Sequence, residues 1–348
     1  MTDSSLFWKK KTMISYVLAV LVFTIHLSTL DNYVPYVGAG IKEPLVWFVK
    51  VFSRVAVPAF FLISGALFFR NYNNSLFLVK LKSRFKSLVI PYLAWNTIWM
   101  LFGWFTTLFF SQYFIGRPLS DISLMGGVKS VFFHGDNLPF WFIGNLILFI
   151  LLTPFMYILI RNKYIGIVSI LITLVIVYCL NLRYYAFLRT WFVDAESIVY
   201  YMVGAYVGMH FFSWFSGHST AKTIFGAITV LLCVFIRSCF DITTDDMFFR
   251  TLCLTVYAIG FFFAFDSIIL KYDSNPEFLN HSFWVYAVHL NLSAVITKLL
   301  FFILPKTCFF AWGNLFVTII STLIFIELLN RMVHRYAPNL YNILSGAR

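Results

Sequence analysis

The chain has 348 residues, of which 61% are hydrophobic and only 11% are charged, and its mean hydropathy is +0.84. A soluble domain of this length needs more polar surface, so the composition excludes one and indicates a polytopic membrane protein. The net charge of +12 would suggest nucleic acid in a soluble protein. Here the basic residues cluster in short loops between apolar runs, as topology signals facing an anionic leaflet do, and we expect no nucleic-acid partner.

Ten hydrophobic runs have about the 18 to 25 residues that cross about 30 Å of hydrocarbon. We therefore predict an all-α integral membrane protein, a bundle of about ten transmembrane helices forming a single domain over residues 1–348 with no separate soluble domain. The first run is too long for a signal-peptide core, and we expect it to be a retained span. The predicted spans are 13–30, 45–69, 87–110, 138–160, 164–181, 196–215, 221–239, 248–270, 282–304 and 310–333.

The Lys and Arg counts predict the orientation. With the N-terminus inside, the inner segments hold fifteen of these residues and the outer loops eight, and five of the fifteen lie between residues 70 and 86. This bias predicts a multi-pass protein of the cell's inner (cytoplasmic) membrane with both termini in the cytoplasm.

The five cysteines lie in or beside apolar runs without metal-ligand spacing, so we predict no metal site.

Two outer segments, residues 111–137 and 182–195, are longer than a minimal connection and carry aromatic and charged residues. Such side chains on an outer face suit a polar, sugar-like ligand. The alternative for any single ring is an interfacial aromatic belt.

Ionisable side chains inside apolar spans are the first candidates for chemistry, because an unpaired charge in hydrocarbon is costly. At 1.5 Å per residue, His26 lies about 20 Å and Arg54 about 16 Å from the inner edge of their spans. In the fourth span Asn145 lies near the depth of His26, with Trp141 a turn above it. We predict that these groups converge in the outer half of the membrane, although Arg54 in an ion pair with a buried acid is the alternative.

The inner half offers candidates for an anionic ligand. Helical spacing puts Arg54, Pro58 and Gly65 on one face of the second span, where Gly65 admits a ligand or another helix. The basic loop that contains Lys82, Arg84 and Lys86 is a candidate anchor for phosphate groups, and its alternative is a topology signal alone.

The ninth span carries a polar stripe of Ser282, Tyr286, His289 and Ser293. His289 lies only about 10 Å from the inner edge of that span. That depth is too far toward the cytosol for a partner of His26, so we interpret the stripe as cavity lining or interhelical hydrogen bonds.

These residues together resemble the membrane-bound acyltransferase family 3, whose members transfer acyl groups to extracytoplasmic sugars and related acceptors. The order of the blocks along almost the whole chain carries the resemblance. The blocks are residues 19–26, 53–65, 84–95, 141–142 with Pro154, 203–208 and 282–289.

The resemblance implies that His26 is catalytic, with Arg54 stabilising an oxyanion or holding the donor. It further implies that Lys82, Arg84 and Lys86, with Ser64 and Gly65, bind an acyl-CoA, most simply acetyl-CoA, as co-substrate and not as a permanently bound cofactor. The expected acceptor is an extracytoplasmic carbohydrate or lipid-linked sugar, approaching past a cavity formed by Trp141, Asn145, Tyr286 and His289. Succinyl or another short acyl group remains an alternative.

Two positions depart from the family pattern. Many members carry Arg eleven residues before the histidine, where this chain has Ser15, and a second basic residue where it has Ser87. Either Arg54 supplies the charge or the donor is handled differently.

The alternative function is a transporter or exporter of polysaccharide or lipid-linked sugar, in which His26 and Arg54 line the pathway.

Overall fold

The described part of the chain is helical, which confirms the predicted all-α class there. A computed structural model describes residues 3–110, 122–133, 136–179, 194–240, 247–268 and 275–346, and these contain no strand. The α-helices are α1 Asp3–Ile25, α2 Val34–Val37, α3 Glu43–Val51, α4 Ala56–Phe69, α5 Phe77–Arg84, α6 Ile90–Phe110, α7 Leu124–Phe132, α8 Trp141–Leu151, α9 Thr153–Ile160, α10 Lys163–Cys179, α11 Ala195–His210, α12 Phe212–Ser216, α13 Thr220–Cys239, α14 Met247–Ala264, α15 Ser282–Ile303, α16 Cys308–Tyr336 and α17 Pro338–Ser345. Shorter 3-10 helices are Thr29–Tyr33, Ala39–Lys42, Ser53–Val55, Asn74–Leu76, Leu138–Phe140 and Glu277–His281, and Phe85–Val89 is a π-helix.

Six stretches of the described chain are long and apolar enough to cross a membrane, judged by length and composition. The helices α8 and α9 would make a seventh if taken as one span, although their axes differ by 65° at the break. Two further apolar helices, α10 and residues 248–264, are shorter. The count of ten spans and the cytoplasmic termini therefore stay predictions. The six stretches are Ser5–Val37, Ala39–Phe69, Asn74–Phe110, Thr220–Cys239, Glu277–Ile303 and Cys308–Tyr336.

The second predicted span is not one continuous helix. After α3 ends, Ser53–Val55 forms a 3-10 turn, and α4 begins at Ala56. Pro58 is the physical reason, because proline has no N–H to donate to the carbonyl four residues earlier, at Arg54. The turn, and not a helix face shared with Gly65, therefore determines where the Arg54 side chain points.

Glycines allow α4 and α11 to pack backbone against backbone. A Cβ added to Gly204 would lie 2.0 Å from the carbonyl oxygen of Leu62, and one added to Gly208 would lie 2.2 Å from that of Ala66. From the other helix, Gly65 faces the backbone of α11, where an added Cβ would lie 2.3 Å from a carbonyl oxygen. Such close approach is typical of small residues between membrane helices, and it fixes α4 against α11.

The start of α1 is tied to the end of α14 by a buried ion pair. The Lys10 ammonium donates to the Asp266 carboxylate, and neither side chain is exposed. The same ammonium lies 3.8 Å from the centre of the Phe262 ring. Lys10 is therefore part of the packed interior as well as of the basic start that the topology prediction used.

The C-terminal helix α17 packs into one end of the bundle. The Trp95 indole donates to the carbonyl of Leu344 at 3.0 Å, and Trp284 stacks on Tyr341 with ring centres 5.8 Å apart. These contacts join α17 to the starts of α6 and α15.

The helix α7 lies along α6. Asn96 donates to the carbonyl of Val131 at 2.9 Å, and the Tyr92 hydroxyl donates to that of Phe132 at 2.7 Å. Because α6 begins at Ile90, the end of α7 has returned almost to the start of α6. Hydrogen bonds between the two helices satisfy polar groups that would otherwise be unpaired in an apolar environment.

Residues 122–133 of the first predicted outer segment therefore pack against α6, and ligand binding by residues 111–137 on the outer face stays a prediction. Residues 111–121 and 134–135 lie outside the described residues. So do residues 182–193, which make up nearly all of the second predicted outer segment.

Candidate active site

A cavity of about 920 Å³ brings together residues that are far apart in the sequence. Four side chains predicted to act in function line it, namely His26, Arg54, Trp141 and Tyr286, and Pro58 lies beside them. The wall is also rich in charge and polar groups, contributed by Asp31, Lys42, Lys50, Asp194, Glu196, Tyr200, Arg237 and Arg250.

His26 and Arg54 meet through a contact between α1 and the turn before α4. The Thr24 and Ser53 hydroxyls form a hydrogen bond of 2.6 Å. His26 follows the last residue of α1 in a turn, and Arg54 follows Ser53 in the 3-10 turn. The Arg54 charge is close enough to act on the His26 imidazole. His26, Arg54 and Trp141 therefore line one cavity, while their depth in the membrane and the catalytic roles of His26 and Arg54 stay predictions.

His289 lies next to His26, which corrects the expectation that it is too far toward the cytosol. The two imidazole rings have centres 5.5 Å apart, and Phe23 lies 5.6 Å from His289 on the same side. His289 is fully buried, and its Nδ1 donates to the carbonyl of Val285 at 3.0 Å.

The depth estimate failed because α15 does not begin at the level assumed for the inner edge. The 3-10 segment before α15 packs beside α1, with the rings of Tyr16 and Phe278 5.2 Å apart. Counting from that contact, His26 is ten residues further along α1 and His289 eleven residues further along the neighbouring chain. At about 1.5 Å per residue, His26 and His289 therefore lie at nearly the same distance from the contact between Tyr16 and Phe278.

Tyr286 and Asn145 shape the cavity rather than simply facing it. The Tyr286 hydroxyl donates to the carbonyl of Pro139 and so fixes the short segment before α8. Asn145 is buried and is not among the lining residues. Its amide nitrogen donates to the carbonyl of Trp141 at 2.8 Å, and its oxygen accepts from the backbone N–H of Asp194 at 3.2 Å. Asn145 thereby holds two lining residues in place.

The chain matches a known protein family over most of its length. The family model for an acyltransferase domain covers residues 16–329, which include His26, Arg54, the basic loop and His289. The chain belongs to acyltransferase family 3. No curated protein and no solved structure gave a significant match. The resemblance read from the sequence is confirmed, and the molecule is a membrane acyltransferase.

In this acyltransferase the cavity wall contains further charged residues that sequence reasoning missed. Arg250 and Glu196 form a buried ion pair between α14 and α11. The Arg237 guanidinium donates from Nε to the carbonyl of Lys50 at 3.0 Å and so ties α13 to α3. These contacts hold residues of the cavity wall in place.

A signal for these residues was present in the sequence. Glu196, Arg237 and Arg250 all lie within predicted spans, near their outer ends. The rule that selected His26 and Arg54, that ionisable groups inside apolar spans have a function or a partner, applies to them equally. Arg237 and Arg250 were missed because the orientation prediction counted them as charges of outer loops.

The residues predicted to bind the acyl donor lie elsewhere. Lys82 and Lys86 are exposed, and Arg84 is half-buried with its guanidinium 5.9 Å from the centre of the Phe68 ring. Among the described residues that line the cavity, none comes from this set or from Ser64 and Gly65. The space beside Gly65 is occupied by the backbone of α11, so a ligand does not approach it there.

A stack of three aromatic rings lies between these two regions. Phe140 stacks on Tyr286 with ring centres 5.4 Å apart, and on its other side Tyr92 stacks at 5.8 Å. Tyr286 lines the cavity one helical turn before His289, while Tyr92 lies near the start of α6 and so near the basic loop. Of the three rings Tyr286 alone lines the cavity, and the stack connects it to Tyr92 near the start of α6.

Proposed function

We propose that this acyltransferase moves an acyl group, most simply acetyl from cytoplasmic acetyl-CoA, to a hydroxyl of an extracytoplasmic sugar or glycan, with His26 as general base or acyl relay. The observation that carries the proposal is that the His26 imidazole and the Arg54 guanidinium line one cavity. Acyl transfer needs a base for the hydroxyl and a cation for the developing oxyanion, and these two residues supply both.

As general base, the His26 imidazole accepts the proton of the acceptor hydroxyl while the oxygen attacks the thioester carbonyl. Arg54 stabilises the negative charge on the carbonyl oxygen of the tetrahedral intermediate. When the C–S bond breaks, the thiolate leaves and takes the proton from the imidazolium. As acyl relay, the imidazole attacks the thioester itself, releases CoA as the thiol, and passes the acyl group to the hydroxyl in a second step.

The donor's phosphates bind at the basic loop, at Lys82, Arg84 and Lys86. Support comes from the crowding of positive charge there, since Lys80 interacts electrostatically with both Arg84 and Arg70. Like charges held close together favour a polyanion between or above them. On this route the pantetheine arm has to extend from the basic loop to the cavity before its thioester reaches His26.

The acceptor binds in the charged cavity. Support comes from its wall, which combines paired charges, such as Lys42 with Asp31, and the half-buried face of Trp141. Hydroxyl-rich ligands need both hydrogen-bonding groups and a flat apolar surface. Family membership favours transfer over the alternative of transport, because the family is one of acyltransferases.

The test measures incorporation of labelled acetyl from acetyl-CoA into extracytoplasmic glycan by membranes that contain equal amounts of folded protein. Wild type is compared with His26→Ala and with His334→Ala, a control histidine that is exposed and lies outside the cavity. We expect the loss of a general base to lower incorporation by about 10²- to 10⁴-fold, with the control unchanged. Wild-type incorporation by His26→Ala would refute the proposal.

A further inference from the structure

We propose that His289 is a positioning residue for the reaction, and that its Nε2 accepts a hydrogen bond from the imidazole N–H of His26. The inference rests on the proposed function, because it assigns a role to His289 through His26. His289 does not line the cavity, so it acts on the substrate only through its neighbour.

The hydrogen bond inside α15 assigns the tautomer of His289. A backbone carbonyl can only accept, so the contact between Nδ1 and the carbonyl of Val285 requires a proton on Nδ1. In the neutral ring Nε2 then carries a lone pair and is an acceptor. The side chain therefore has one nitrogen committed to its own helix and one available to a donor.

That available nitrogen is buried and lacks a partner among the described residues. The whole residue is 0% exposed. A buried polar atom without a partner is destabilising, and such atoms are uncommon enough that each calls for an explanation. An apolar residue of similar size would fill the same space without that penalty, so packing alone does not account for a histidine here.

The nearest ring that can donate to this nitrogen is His26. The two imidazoles are not hydrogen-bonded to each other in the structure, but with their ring centres 5.5 Å apart a rotation of the His26 side chain brings one of its nitrogens within hydrogen-bonding reach of Nε2. The other rings near His289, Phe23 and Tyr286, do not compete: phenylalanine has no donor, and the Tyr286 hydroxyl already donates to Pro139.

The two helices that carry these rings are held in one register. Beyond the histidines, the Thr29 and Thr297 hydroxyls are hydrogen-bonded at 2.9 Å, and before them Tyr16 contacts Phe278. Contacts on both sides of the pair prevent α1 and α15 from sliding past each other. His289 is therefore held in a fixed position relative to α1. His26 lies in a turn just after the end of that helix.

This hydrogen bond would fix which nitrogen of His26 faces the cavity. With one nitrogen donating to His289, the other presents its lone pair to the acceptor hydroxyl or to the thioester carbon. When His26 becomes protonated, the same bond becomes one from a cation and strengthens. Without it, the ring can rotate and can present a proton instead of a lone pair.

Three substitutions separate this role from packing. His289→Gln places an amide oxygen near the position of Nε2, so it can still accept from His26. His289→Asn is too short for that and retains only a group near the position of Nδ1. His289→Leu keeps apolar bulk and has neither group. All three are compared with wild type at equal amounts of folded protein in the acetyl-incorporation assay.

We expect His289→Leu and His289→Asn to lower turnover by roughly 10- to 100-fold, the effect of losing a hydrogen bond to a charged group, with the KM for acetyl-CoA nearly unchanged. His289→Gln should recover most of that loss. Wild-type turnover in His289→Leu would overturn the proposal, and so would a His289→Gln variant as slow as His289→Leu.

A second readout does not depend on turnover. Diethyl pyrocarbonate modifies an imidazole at a nitrogen with a free lone pair, and peptide mass spectrometry measures its rate at His26. We expect faster modification in wild type and His289→Gln than in His289→Leu and His289→Asn, and equal rates in all four proteins would overturn the proposal. Because this ranking needs no acyl donor or acceptor, it distinguishes failure at His289 from failure of the proposed function.

Discussion

Substituting Gly204 by alanine should separate α4 from α11 and destabilise the protein. The added methyl carbon would lie 2.0 Å from the carbonyl oxygen of Leu62 and 2.7 Å from its carbonyl carbon, whereas ordinary contact begins at 3.4 Å. Both atoms belong to the backbone of a buried helix and cannot rotate away, so the helices must move apart. Overpacking of this kind costs about 1–3 kcal/mol, and sometimes more.

The same exchange at Gly313 is the matched control. Gly313 lies within α16, and a Cβ added there would meet nothing within 4 Å. Both substitutions gain about 1 kcal/mol of helix propensity, so the difference between the two variants isolates the clash. The control should unfold at the wild-type temperature or slightly above it.

The measurement is the apparent Tm of detergent-solubilised protein, followed by the loss of the monodisperse peak in size-exclusion chromatography after heating. We expect the Gly204→Ala protein to lose that peak several degrees below the Gly313→Ala protein. It should also lose acyl transfer, because α4 and α11 both contribute residues that line the cavity. Equal Tm values for the two variants would refute the account of this helix contact.

Three further substitutions test other contacts. Gly65→Ala should lower Tm as Gly204→Ala does. An unchanged Tm with a raised KM for acetyl-CoA would instead support the prediction that Gly65 binds the acyl donor. Glu196→Gln breaks the buried pair with Arg250 and should cost about 3–5 kcal/mol in unfolding experiments; a double variant that also carries Arg250→Met should be more stable than the single one. Asn145→Ala removes the acceptor of the Asp194 amide, which costs about 1 kcal/mol, and should raise the KM for the proposed glycan acceptor but not for the proposed donor, acetyl-CoA.

The sequence by itself determined the class of the protein, the family and part of the candidate site. Long apolar runs can only be buried in lipid or in a bundle, so the all-helical membrane architecture follows from composition and run length. His26 and Arg54 stood out because a charge inside such a run must have a partner or a purpose. Both properties are local to one segment, and that is why they are readable without a fold.

The tertiary structure alone decided which segments meet. Depth counted along one helix gives no information on where a neighbouring helix begins, and the 3-10 segment before α15 packs beside α1 at a point that brings His289 to the level of His26. In the same way, only the packed bundle shows that Gly65 faces α11 and that Arg250 faces Glu196. Register and facing between helices depend on side-chain packing over the whole bundle, which no single segment encodes.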